Sequence, residues 1–191
     1  LTETDIDIRK NLTIDRTLHL RARRLDNKAK LTVNGDFIAH IQTMLMNRGI
    51  IEGNDVLLHA RQVISKPIVD RKPVPGGYQD RPRGPVILRS FKGDLKIIAD
   101  ELLSLTGTEV DSARDLIFYS GGDEYWGATK LSSERRTGRK HHRVHEQTES
   151  HQKTQLKAGG NLINRVEGNG IREGFTARVG GKFDSLTQGT V

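Results

Sequence analysis

The residues best suited to chemistry lie in one polar stretch. Glu134-Arg135-Arg136-Thr137-Gly138-Arg139-Lys140-His141-His142-Arg143 sets paired basic residues on either side of a two-residue gap. Such pairs match spaced sulfates or phosphates, because a guanidinium fork grips an oxyanion through two hydrogen bonds. From Lys130 to Lys153, seven Lys/Arg stand against three Glu, a local net charge of +4. The expected ligand is an anionic glycan or a lipopolysaccharide phosphate. The plainer reading is a charged hairpin kept solvated by repulsion. Arg135, Arg136, Arg139, Lys140, His141, His142 and Arg143 are the candidate binding residues. Just upstream, Tyr125 and Trp126 are candidates for stacking on a sugar ring, or for anchoring the base of the hairpin.

Four of the seven histidines, His141, His142, His145 and His151, share this stretch. No metal is expected there, because no cysteine and no repeated carboxylate completes a tetrahedral set. A pH response is the other reading, since histidines become charged near about pH 6 and would repel the arginines. Elsewhere, polysaccharide cleavage would need clustered carboxylates. Asp36, Asp55, Asp94 and Asp115 are the candidates, but all four stand immediately before an apolar residue that opens an alternating run. A position filled so regularly is explained by turn chemistry, a short side chain accepting backbone N–H groups. His40 and His59 recur at one outward position and read as a stacked surface pair. No Gly-rich loop opens a helix, so no nucleotide or other cofactor is expected and no catalytic residue is assigned.

The elements that must carry these residues come from a repeat. Asn34-Gly35-Asp36-Phe37, Gly53-Asn54-Asp55-Val56, Lys92-Gly93-Asp94-Leu95, Ala113-Arg114-Asp115-Leu116 and Gly159-Gly160-Asn161-Leu162 share one form, with a weaker copy at Gly180-Gly181-Lys182-Phe183. The apolar residues that close these units recur at about 20 residues or twice that. Leu25-Asp26-Asn27-Lys28-Ala29 is echoed by Leu45-Met46-Asn47-Arg48-Gly49, 20 residues on. After each unit the apolar residues alternate, as in Phe37, Ala39, Ile41 and Val56, Leu58, Ala60. Period two means strands with one buried face. Short strands and turns at a period of about 20 predict an all-β solenoid of seven to nine coils, roughly 35–45 Å long.

Two segments break the period. Residues 66–85 carry Pro67, Pro73, Pro75, Pro82 and Pro85 and read as a loop insertion. Residues 124–155 read as a protruding basic β-hairpin, turning at Thr137-Gly138, and residues 156–191 as the last coils.

Leu45-Met-Asn-Arg-Gly-Ile-Ile-Glu-Gly-Asn-Asp-Val-Leu-Leu-His-Ala60 resembles the haemagglutinin repeat of filamentous haemagglutinin and related two-partner-secreted exoproteins, the contact-dependent growth inhibition exoproteins among them. The polar stretch 124–155 followed by Ala158-Gly159-Gly160-Asn161-Leu162 is similar to the later repeat region of that group. The resemblance covers nearly the whole chain, and residues 66–85 and 125–153 depart from it. It implies a right-handed parallel β-helix, display on a Gram-negative cell surface, and export through an outer-membrane transporter partner. It also implies that residues 1–191 form one segment of a larger secreted exoprotein.

Composition agrees with a thin core: 5% aromatic residues, 34% hydrophobic residues and 20 glycines. No apolar run approaches the roughly 20 residues that span a bilayer. A net charge of +7 admits nucleic acid, polysaccharide or an anionic membrane. Nucleic acid is not expected, because aromatics are scarce and the basic residues are spread over loops. The expected function is structural and adhesive, contacting a host or bacterial surface receptor or anionic glycan, or helping to deliver a toxin, and is not enzymatic. The alternative is a polysaccharide-processing β-helix enzyme.

Overall fold

The computed structural model describes residues 4–138 and 144–190. Among these residues all regular structure is β-strand. The first nine strands are β1 (Asp5–Ile8), β2 (Leu12–Ile14), β3 (Leu18–Asn27), β4 (Lys30–Val33), β5 (Phe37–Asn47), β6 (Ile50–Gly53), β7 (Val56–Ser65), β8 (Val69–Val74) and β9 (Gly77–Pro82). Then follow β10 (Ile87–Ser90), β11 (Leu95–Thr106), β12 (Glu109–Ser112), β13 (Leu116–Ser120), β14 (Asp123–Thr137) and β15 (Val144–Ala158). The last four are β16 (Leu162–Val166), β17 (Gly170–Arg172), β18 (Phe175–Val179) and β19 (Phe183–Thr187).

The sheet is mostly parallel, and strands pair with those about one repeat away. One parallel line runs β1–β3–β5–β7–β11, continues as β13 and β14 end to end over β11, and goes on to β16, β17 and β19. A second runs β2–β4–β6–β10–β12–β15–β18. In the first, Leu18, Phe37, Val56, Leu95, Leu116, Leu162 and Phe183 lie in one register column. The repeat units read from the sequence therefore superpose layer upon layer.

Alternation decides what is buried. Phe37 and Ala39, Leu58 and Ala60, Leu95 and Ile97, and Leu116 and Phe118 are at most 1% exposed and belong to one apolar core. Each large aliphatic or aromatic side chain among them, fully removed from water, contributes roughly 1.5–3 kcal/mol. Parallel pairing puts like residues over like, so the core is a stack of thin layers.

The turn units hold the layers together from outside. The Asp55 carboxylate accepts the backbone N–H of Asp94 at 2.7 Å, and Asp94 accepts that of Asp115 at 3.1 Å. Asp115 accepts that of Asn161 at 2.7 Å, and the Asn161 amide oxygen that of Lys182 at 3.0 Å. The recurrent Asp/Asn is thus a backbone-binding ladder, and it also accounts for the glycine before it. A Cβ on Gly93 would collide with the Asp55 carboxylate, and one on Gly160 with that of Asp115.

A second ladder runs inside. Asn27 Nδ2 donates to Asn47 Oδ1 at 2.9 Å, Asn47 Nδ2 to Ser65 Oγ at 3.3 Å, and Thr108 Oγ1 to Ser65 Oγ at 3.1 Å. All four residues are fully buried. The echo of Asn27 by Asn47 in the sequence marks this ladder.

Residues 66–85 differ from the expected loop. Strands β8 and β9 form an antiparallel hairpin, from Val69↔Pro82 to Val74↔Gly77. The Pro75-Gly76 pair that suggested a loop also suits a tight turn, with Gly76 at φ +84° supplying the left-handed conformation. Pro73 is tolerated because β8 is an edge strand, and Pro82 lies past the part of β9 that pairs further.

A basic side sheet as candidate functional site

Strands β14 and β15 begin and end in the parallel lines but leave them in between. From Ala128↔Lys153 to Thr137↔Val144 they pair antiparallel. Gly138, at φ +109°, follows the last pair. On the other edge of β14, Ser133, Glu134 and Arg135 pair with Gln79, Tyr78 and Gly77 of β9. The two insertions thus build one antiparallel sheet in the order β8–β9–β14–β15.

Ion pairs hold this sheet. Arg71 donates to both carboxylate oxygens of Asp80, at 2.8 and 3.1 Å, and lies 4.0 Å from the centre of the Tyr78 ring. Asp80 also accepts the Ser132 backbone N–H at 3.2 Å, which ties β9 to β14. The Arg71 guanidinium holds the Asp80 carboxyl below its ordinary range, with help from the Ser132 N–H. Arg83 grips Asp70 at 2.8 and 3.1 Å.

The structure separates the basic residues singled out in the sequence. Arg136 donates to Glu134 Oε1 at 3.0 Å, and His145 Nε2 lies 3.1 Å from the same oxygen, so Arg136 is partly neutralised. Arg135, next in the strand, points to the opposite face and has no side-chain partner among the described residues. Arg139, Lys140, His141, His142 and Arg143 lie outside the described residues.

Tyr125 and Trp126 part ways. Trp126 is fully buried, with ring centroids of Phe118 and Phe175 at 5.3 and 5.2 Å and the Arg172 guanidinium 5.0 Å from its ring. It cannot stack on a sugar, which corrects that expectation. The reason is parity: Trp126 pairs with the inward Leu105, and Tyr125 with the neighbouring Ser104. Tyr125 instead borders a groove of about 430 Å³ at the hairpin base, with Lys130, His151, Lys153 and Glu173 around it. Lys130 pairs with Glu149 at 2.6 Å; Lys153 has no side-chain partner among the described residues. Lys130 and His151 are cross-strand neighbours, so the hairpin register was the signal that would have grouped them.

Behind this groove sits a buried polar centre. Glu124 is 1% exposed; its Oε2 accepts from Asn164 Nδ2 and Arg172 Nε, both at 2.9 Å. Burial pushes the Glu124 carboxyl above its ordinary range, against the opposing pull of Asn164 and Arg172. Among the described residues no three His, Asp or Glu side chains converge as metal ligands. No family model, no curated protein and no solved structure matches the chain.

Proposed function

We propose that this chain is a right-handed parallel β-helical segment of a secreted, filamentous haemagglutinin-like exoprotein, and that it serves as a structural and adhesive rod. In this reading the parent chain leaves the cell through an outer-membrane transporter. The rod presents the side sheet to an anionic glycan on a host or bacterial surface. The carrying observation is the register column from Leu18 to Phe183, with its Asp/Asn ladder. Layers that bind only their neighbours suit a scaffold that extends by repetition.

The side sheet supports contact with a polyanion because its aromatic and cationic groups adjoin. Tyr125 offers a ring face, Lys130, His151 and Lys153 offer positive charge, and Arg135 has no side-chain partner among the described residues. Binding to immobilised heparin and lipopolysaccharide tests this. The variants are Lys130→Gln/Lys153→Gln, and Arg135→Gln/Arg136→Gln/Arg139→Gln/Lys140→Gln. The reading expects salt-sensitive binding that both variants weaken, since exposed charges act through a screened field. Binding left unchanged by both variants, or absent from the parent chain, rejects glycan contact through this sheet.

A further inference from the structure

The outward column beside the core carries a second set of polar groups, away from the side sheet. Arg21, His40 and His59 are register partners on β3, β5 and β7, so they stand about 4.8 Å apart along one line. His59 Nε2 lies 3.0 Å from Asp100 Oδ1 on the next layer, and the His40 and His59 rings meet edge to face at 5.7 Å. Here the long strands break register, between Ala22 and Arg24 and between Ile41 and Met44. The break opens a groove of about 520 Å³, lined by Arg21, His40, Gln42, His59 and Asp100 over Ala22 and Ile41. That volume falls among small-molecule sites, roughly 300–1,000 Å³.

Among the described residues, Arg21, His40 and Gln42 have no side-chain hydrogen bond or ion pair, although each is exposed on the groove. His59, by contrast, is oriented by Asp100. We propose that this groove binds a carboxylated sugar of the hexuronate class. Arg21 is the one permanent cation in the lining, and its fork fits one carboxylate. Asp100, on the far strand of the lining, repels a dianion such as a phosphate monoester. His40, Gln42 and Asp100 supply donors and acceptors for ring hydroxyls. Ala22 and Ile41 give an apolar floor for the C–H face of the sugar ring.

The test is a titration of the purified chain with D-glucuronate, glucose and acetate, following the His40 and His59 imidazole resonances by NMR. Saturable shifts with glucuronate are expected. Glucose, which lacks the carboxylate, and acetate, which lacks the ring, should each bind more weakly by about tenfold, the scale of one charge-assisted hydrogen bond. Arg21→Gln and, independently, Gln42→Ala weaken glucuronate binding, whereas Lys130→Gln/Lys153→Gln leaves it unchanged. Acetate equal to glucuronate reduces the groove to a bare anion site and overturns the proposal. So does glucose equal to glucuronate, a shift that never saturates, or full binding by Arg21→Gln with an otherwise unchanged amide spectrum. Failure of heparin binding by the side sheet has no bearing on this result, because the two sites share no residue.

Discussion

The Asp55 carboxylate occupies the space that a side chain on Gly93 would need, and it binds the backbone N–H of the following residue, Asp94, at 2.7 Å. Glycine and aspartate in neighbouring repeat units are therefore one device. Gly93→Ala displaces the carboxylate and is expected to cost about 1.5–3 kcal/mol, the range for a hydrogen bond to a charged group. In Asp55→Ala the carboxylate that the new methyl group would meet is gone. Urea unfolding of the single and double variants should show strong non-additivity; simple additivity would mean the two positions act independently.

The buried Asn47 serves the layers on both sides, accepting from Asn27 at 2.9 Å and donating to Ser65 at 3.3 Å. Asn47→Ala leaves Asn27 and Ser65 each short of a partner. Asn27 keeps the Ile50 carbonyl and Ser65 keeps the Thr108 hydroxyl, so a loss of about 1–3 kcal/mol in all is expected in the unfolding free energy. Asn34→Ala, at an exposed turn, serves as the comparison and is expected to change it much less.

Glu124 sets a pH dependence of known sign. Its folded carboxyl is raised by burial, so the stability it contributes is complete below the ordinary carboxyl range and is lost as pH rises through the folded value. Glu124→Gln removes that component. Between acid and neutral pH the parent chain is thus expected to lose stability relative to the variant. Trp126, the one tryptophan and fully buried, reports unfolding by fluorescence in both. Parallel profiles would show that Glu124 does not titrate differently in the two states.

What was legible in the sequence was whatever repeats or alternates. Phe37, Val56, Leu95 and Leu116 could be aligned because the same turn unit precedes each, and period-two burial follows from strand geometry. The role of Asp55, Asp94 and Asp115 in turns followed from the same recurrence. The side sheet was only half legible. Residues 124–155 read as a hairpin turning at Thr137-Gly138, but the pairing of Gly77–Gln79 with Ser133–Arg135 is a tertiary event with no local signature. Pro75-Gly76 fits a loop and a turn equally, and only the partner strand chooses. Trp126 and Tyr125 exchange roles under a one-residue change of register, which Leu105 fixes from the layer beneath. The groove at Arg21 was hidden because it opens at a break in register, and a repeat pattern reads through such breaks.

The hydrogen bond from Ser132 to Asp80 joins residues 52 apart in the chain and makes the side sheet a clasp. A stack in which each layer binds its neighbours frays inward from both ends. Here β10 to β13 are enclosed between the two halves of the clasp, so fraying stalls where they meet. Amide hydrogens from β8 to β15 are expected to exchange as one cooperative block, which hydrogen–deuterium exchange would check. A lateral appendage that looks like decoration on the stack thereby sets where the molecule stops unravelling.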